Sequence, residues 1–308
     1  MKLRKAVFRG VRGLADGAFD LTDPSTGEPS SLVLVSGPPA SGKTRFLEAV
    51  VAAKEHVAPY AARPQIQQWI RPGETAAKVA LTWRVTAEER TYGALAEADA
   101  DTEAIFTTVG ATFPEDDGIV AVLKRYEHGH AAGKIEYLPA LRPVPTNGLG
   151  AGLSAFEQKS LRATGDPRKL ASVVRVVHEL SAGGPTADYF AAILERLSPT
   201  CRFEPAHAHD AFPRCFPGPW GPRSVRELSS SELDAVVLAA IAVLVGLSHS
   251  LVLIDSPDLF TDPAHVPHLA DGLLSLGQDV QVIATTRSPE AWRAAKPGQV
   301  ITLGGAPR

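Results

Sequence analysis

Apolar positions along this 308-residue chain fall into short blocks with two periods, and together they predict an α/β fold. Ala6-Val7-Phe8-Arg9 reads as a strand, followed by turns at Gly10, Gly13 and Gly17. Phe19-Asp20-Leu21 reads as a second strand before a loop through Pro24, Gly27 and Pro29. Leu32-Val33-Leu34-Val35 is a buried-strand run, and an amphipathic helix opens at Thr44 and continues through Val51. Residues 79–85 alternate apolar and polar, as a half-buried strand does, and 134–138 form another short strand. Helical spacing returns over 170–180 and 189–197, while 139–152 and 205–222 are proline-dense connections. The last part runs helix, strand, helix, strand, which predicts a mainly parallel sheet. No heptads and no internal repeat are visible.

The loop after the Leu32–Val35 run carries the clearest chemistry. Gly37-Pro38-Pro39-Ala40-Ser41-Gly42-Lys43-Thr44-Arg45 fits G-x-x-x-x-G-K-[ST] between a strand and a helix, the context that gives this pattern its meaning. Two glycines let successive backbone N–H groups turn inward around a phosphate, and the helix N-terminus adds its unsatisfied donors. Lys43 is expected to reach the β/γ-phosphates of ATP, and the Thr44 hydroxyl to ligate Mg²⁺. Pro38, Pro39, Ala40, Ser41 and Arg45 complete the expected nucleotide site.

Leu251-Val252-Leu253-Ile254-Asp255 is the second anchor: a buried strand delivering a carboxylate to its C-terminal edge, where α/β ligands sit. Many buried strands end in Asp, so the assignment of Asp255 to Mg²⁺ depends on the phosphate loop upstream. The third anchor is Leu228-Ser229-Ser230-Ser231-Glu232. Ser229 and Glu232 have capping-box spacing ahead of an apolar helix over 234–247.

Composition narrows the setting. Net charge is −3, so no global basic field supports DNA as a partner, although DNA stays possible. Two cysteines cannot build a disulfide framework, and the basic start leads into a strand instead of a signal-peptide core. The longest apolar run, 235–247, is too short to span a bilayer. The expectation is a cytoplasmic protein without membrane insertion.

In this order, phosphate loop, serine-rich segment and Asp-ended strand resemble the ATP-binding-cassette ATPases, in their SMC and RecF-like branch. Leu228 to Glu232 looks like the signature L-S-G-G-E. The resemblance implies that Ser229 contacts ATP held by an opposite subunit, so that two protomers sandwich the nucleotide. Phe8-Arg9-Gly10 resembles the family's opening F-R-G turn. Ile70 to Val79 resembles the antiparallel lobe, and Val282-Ile283-Ala284-Thr285-Thr286-Arg287-Ser288-Pro289 the late strand and switch. Without a coiled coil, the chain is most similar to compact RecF-like or overcoming-lysogenization-like members, often grouped as AAA-family ATPases.

The departures bear on catalysis. Where the family has D-E-P-E, this chain has Asp255-Ser256-Pro257-Asp258, so the residue that would activate water is a serine. The switch histidine is Arg287, a permanent cation that cannot shuttle a proton. Ser230 and Ser231 replace both signature glycines, and no glutamine stands within 137–142. Asp255, Asp258 and Arg287 are the candidate catalytic residues, and ATP hydrolysis is expected to be slow.

Cys201, His207, His209 and Cys215 form a separate candidate zinc set, in a spacing that matches no common finger; Pro205, Pro213 and Phe216 make simple packing the competing reading. The expectation is a single ATP-binding-cassette-type domain over 1–308. Its nucleotide-binding core spans 1–54 and 224–308, with an antiparallel lobe over 55–138 and a helical insertion over 139–223. Three roles follow: an ATP-dependent homodimer acting in DNA repair or defence, an ATP-gated regulatory subunit controlling a partner protein, or a transporter ATPase subunit. The strand-rich lobe and the Ser–Glu signature argue against the transporter. Small-molecule kinases share the phosphate loop but would not need a serine-headed signature helix.

Overall fold

A computed structural model describes residues 1–60, 63–107, 116–127, 133–145, 153–206 and 212–304. In chain order the elements are β1 (Lys2–Arg9), β2 (Gly17–Asp20), β3 (Leu32–Ser36), α1 (Lys43–Val57), β4 (Ala76–Arg84), α2 (Ala87–Tyr92) and β5 (Asp99–Thr107). They continue with α3 (Asp117–Lys124), β6 (Ile135–Leu138), α4 (Ala155–Arg162), α5 (Val173–Leu180), α6 (Pro185–Leu197) and α7 (Ser230–Val245). The chain closes with β7 (Leu251–Ile254), α8 (Val266–Leu274), β8 (Gln281–Thr285) and β9 (Gln299–Thr302).

Five strands form a parallel sheet in the order β6-β7-β8-β3-β9, and four form an antiparallel sheet in the order β2-β1-β4-β5. The buried runs of the parallel sheet show no polar alternation because both faces are covered. Val33, Val35, Leu251, Leu253 and Ile283 point into one core with α1, β1, β4 and β5. Leu32, Leu34, Val252, Ile254, Val282 and Ala284 point into a second core against α5, α6, α7 and α8. Successive side chains of a strand face opposite ways, so each strand serves both cores. Helix α1 thus lies between the two sheets, and the glycine-bounded loop that precedes it sits at the C-terminal edge of the parallel strands.

This placement explains where element boundaries differ from the pattern. The helix expected over 44–51 runs on to Val57, and the additional turn carries Lys54, Glu55 and His56, all buried. Three polar residues disguised a helix whose outer turn is covered by the antiparallel sheet. Strand β5 also escapes the pattern, since Asp99, Asp101 and Glu103 are poor strand formers. Its register supplies the compensation: Glu103 meets Lys78 on β4 at 2.5 Å, and Asp101 accepts from the Thr82 hydroxyl at 2.6 Å. Strands β1 and β2, from the stretch assigned to the nucleotide core, pair into the antiparallel sheet, whereas β6, from the stretch assigned to the lobe, is an edge of the parallel one. The helix expected over 170–180 begins at Val173, after a short 3₁₀ turn at Pro167–Leu170.

Candidate nucleotide site

The loop between β3 and α1 has the backbone its glycines allow. Gly37 has φ +146° and Gly42 has φ +93°. A Cβ on Gly42 would stand 2.5 Å from the Gly13 carbonyl oxygen, so the loop is fitted against the β1–β2 turn. Gly42 heads α1 without a side-chain cap, and the first turn holds no acidic residue. The helix start therefore keeps its donors and positive dipole end for an anion. Lys43 folds back over the loop, donating to the carbonyls of Gly37 at 2.7 Å and Pro38 at 2.9 Å.

Asp255 stands directly after β7 and is buried. Its Oδ2 accepts from the Thr44 hydroxyl at 2.9 Å, and its Oδ1 accepts from the Thr285 hydroxyl at the end of β8. The same Thr285 oxygen accepts from the Ser256 backbone N–H at 2.8 Å. Arg142, beyond β6, donates to the Asp255 carbonyl at 3.1 Å. Four segments distant in sequence thus meet at one residue, two of them bonding its carboxylate and one its carbonyl. A hydroxyl and a carboxylate are hard oxygen donors that suit Mg²⁺, so the donor set fits the expected metal.

A cavity of about 580 Å³ opens over this arrangement, with Lys43, Thr44, Asp255, Ser256 and Arg287 on its wall. Glu48 also lines it, a residue the motif reading passed over although it follows Thr44 by four positions on α1. Burial pushes the Glu48 carboxyl above its ordinary range; Arg45 offsets part of this and the charge of Asp255 adds to it. A second cavity of similar size, walled by Trp69 and Tyr137, shares Thr44, Arg45, Glu48 and Asp255 with the first.

No protein-family model matches the sequence, and no curated protein matches it. Solved structures do. An SMC head bound to the C-terminal winged-helix domain of ScpA is 16% identical, with 98% of this chain and 94% of that one covered at a TM-score of 0.59. The SMC head domain of Thermotoga maritima is 14% identical, with 96% and 92% covered at 0.53. An SMC head with an extended coiled coil, bound to the C-terminal domain of ScpA from Pyrococcus furiosus, gives 14%, 96% and 92% at 0.56. The fold is that of an SMC head domain.

Within this fold, Pro39, Ala40, Ser41, Gly42 and Arg45 also line the cavity, whereas Ser229 and Asp258 lie apart from its wall. Ser229 caps α7: its hydroxyl accepts from the Glu232 N–H, while Glu232 Oε2 accepts from the Ser229 N–H at 2.9 Å and from its hydroxyl at 2.8 Å. Arg223 holds Glu232 in turn, at 2.7 and 3.0 Å. Ser229, Ser230 and Ser231 are exposed, so the helix start faces outward. Asp258 is turned away from the cavity and accepts from the Thr286 hydroxyl at 2.6 Å and the buried Trp292 indole at 3.2 Å.

Of the candidate zinc residues, His207 and His209 lie outside the described residues. Cys201 and Cys215 are buried in the helix-side core with Phe203 and Phe216. Burial pushes the Cys201 thiol up to about 12 and raises that of Cys215, which is the behaviour of packed thiols. Among the described residues no group of three His, Cys, Asp or Glu side chains could hold a metal ion. Nor is any described helix long and apolar enough to cross a membrane.

Proposed function

We propose that this protein binds ATP at the loop ending in Lys43 and Thr44, closes on a second copy around the nucleotide, and hydrolyses it slowly, as a switch in a DNA-repair or defence-type process. The observation that carries the reading is the 2.9 Å bond from Thr44 to Asp255, which joins phosphate loop and Asp-ended strand beneath one cavity. The loop N–H groups and Lys43 hold the triphosphate once Lys43 releases the Gly37 and Pro38 carbonyls. Thr44 and Asp255 would hold Mg²⁺, which neutralises phosphate charge when bound. Arg287 adds a cation on the cavity wall. The exposed N-terminus of α7, headed by Ser229, is the anion-binding end offered to nucleotide on the opposite copy. Titration of a fluorescent ATP analogue tests the site: wild type binds it, and Lys43→Ala does not. Equal affinity in the two proteins refutes the assignment.

A second reading is favoured by a specific observation. Ser256 supplies no acid, and the Asp258 carboxylate is engaged by Thr286 and Trp292, so on this reading binding and closure are the whole output. On this reading the head gates a partner protein, as the SMC heads it resembles engage ScpA. Salt-sensitive DNA binding by the ATP-bound dimer supports the first reading, and ATP-dependent co-purification of a protein without DNA binding supports the second.

A further inference from the structure

We propose that Glu48 is the proton acceptor for ATP hydrolysis in this head, taking the place of the acid that position 256 lacks; this rests on the ATP-binding reading above. Among the described residues that line the cavity, the acidic ones are Asp255 and Glu48. Asp255 is spoken for: one oxygen accepts from Thr44 and the other from Thr285. Asp258 faces Thr286 and Trp292 instead of the cavity. Glu48 is left with a carboxylate on the cavity wall, where it pairs with the Arg45 guanidinium.

Its position is fixed by the helix. Four residues separate it from Thr44, so both side chains leave α1 on the same face, one turn apart. Arg45 holds it there through a 3.2 Å ion pair, and the Arg45 guanidinium itself lies 4.7 Å over the Trp69 ring. Burial raises its carboxyl above the ordinary range, Arg45 offsets part of this, and the nearby Asp255 charge adds to it. Glu48 also borders the second cavity, which it shares with Thr44, Arg45 and Asp255.

The step balances with water and ATP alone. The water oxygen forms a bond to the γ-phosphorus, and the bond from that phosphorus to the bridging oxygen breaks, leaving its electron pair on ADP. The water proton passes to the Glu48 carboxylate and from there to solvent. One carboxylate held by an ion pair on a partly open wall is a modest base, which agrees with slow turnover.

The test measures nucleotide affinity and single-turnover hydrolysis together, from pH 5 to 9, on wild type, Glu48→Gln and Glu48→Asp. Glu48→Gln keeps its ATP affinity within about twofold while hydrolysis falls by about 10²-fold or more. Wild type loses rate as pH drops through the raised Glu48 titration; Glu48→Gln lacks this limb, and Glu48→Asp recovers it at reduced rate. Hydrolysis by Glu48→Gln at the wild-type rate, or a wild type that binds ATP without hydrolysing it, overturns the proposal and leaves the binding site standing. A wild type that binds no ATP overturns both, and the affinity measurement tells the two failures apart.

Discussion

Arg142 grips Asp234 with two parallel bonds, Nε to Oδ1 at 2.5 Å and Nη2 to Oδ2 at 2.8 Å, and both residues are buried. The same guanidinium donates to the carbonyls of Pro139 and Asp255. One side chain therefore ties the segment beyond β6 to the helix that Ser229 caps and to the strand end that presents Asp255. A planar fork with five donors can serve three acceptor groups at once; lysine cannot.

Removing Arg142 leaves Asp234 buried and uncompensated. Arg142→Ala should destabilise the protein by about 3–5 kcal/mol in denaturant unfolding, the cost of breaking one side of a buried pair. The double variant Arg142→Ala/Asp234→Ala should recover part of that loss, because no stranded charge remains. A double variant no more stable than Arg142→Ala would mean that the Pro139 and Asp255 contacts carry the effect. Arg142→Lys should fall between wild type and Arg142→Ala.

Gly42 is the position where loop shape and binding are inseparable. A methyl group there meets the Gly13 carbonyl at 2.5 Å while the backbone sits at φ +93°, which side-chain-bearing residues rarely adopt. Gly42→Ala should displace the loop from the β1–β2 turn, cost about 1–3 kcal/mol in stability, and abolish ATP-analogue binding. Gly73, also at positive φ but with open space around it, provides the control: Gly73→Ala should cost stability without touching affinity.

The strand–loop–helix around Gly37–Thr44, the Asp255 strand and the Ser229–Glu232 cap were legible because each is written in contiguous residues with one fixed spacing. The pairing of Thr44 with Asp255 followed from the motifs once their order was known. Glu48 was missed for a different reason: nothing about a glutamate on an amphipathic helix distinguishes it until Asp255 is placed beside it, although its four-residue offset from Thr44 was available. Arg142 was unreadable, since two of its three partners, Asp234 and Asp255, come from segments that reach it only in the fold. Buried polar residues on α1 hid its last turns because the antiparallel sheet covers them. Acidic positions on β5 hid that strand because their partners, Lys78 and Thr82, stand across the ladder on β4.

Three buried charges on and beside β6 give the protein a pH signature. Lys169 and Arg162 flank Glu136 at 3.4 and 3.7 Å, all with no exposed side-chain surface. Burial pulls the Lys169 amine down to about 8, with Glu136 opposing and Arg162 assisting. Between about pH 8 and the unfolded value of 10.5, the unfolded chain holds a proton here that the folded protein has released. Stability therefore rises with pH across that window, by at most about 1.4 kcal/mol per pH unit for each such proton. Lys54 and Lys134, also shifted downward by burial, act in the same direction. Chemical unfolding at pH 8.0 and 9.5 should show wild type gaining stability, and Lys169→Met should gain measurably less. Equal gains would place the Lys169 titration outside the window.

Ser229 is asked to do two things, and they can be separated. As N-cap it accepts from the Glu232 N–H, and losing that role costs about 1 kcal/mol of stability in any variant lacking a small polar side chain. As the exposed head of α7 it is the proposed contact with nucleotide on a second copy. Ser229→Ala removes the cap with little added bulk, whereas Ser229→Arg removes the cap and projects a long side chain into the place the opposite copy must occupy. Both variants should unfold earlier by a similar amount, and both should bind ATP as monomers with wild-type affinity. They should part in light scattering with ATP and Mg²⁺: Ser229→Ala should still dimerise, though less tightly, and Ser229→Arg should remain monomeric. A Ser229→Arg protein that dimerises on ATP as wild type does would show that the copies meet elsewhere, and the sandwich around the nucleotide would have to be abandoned.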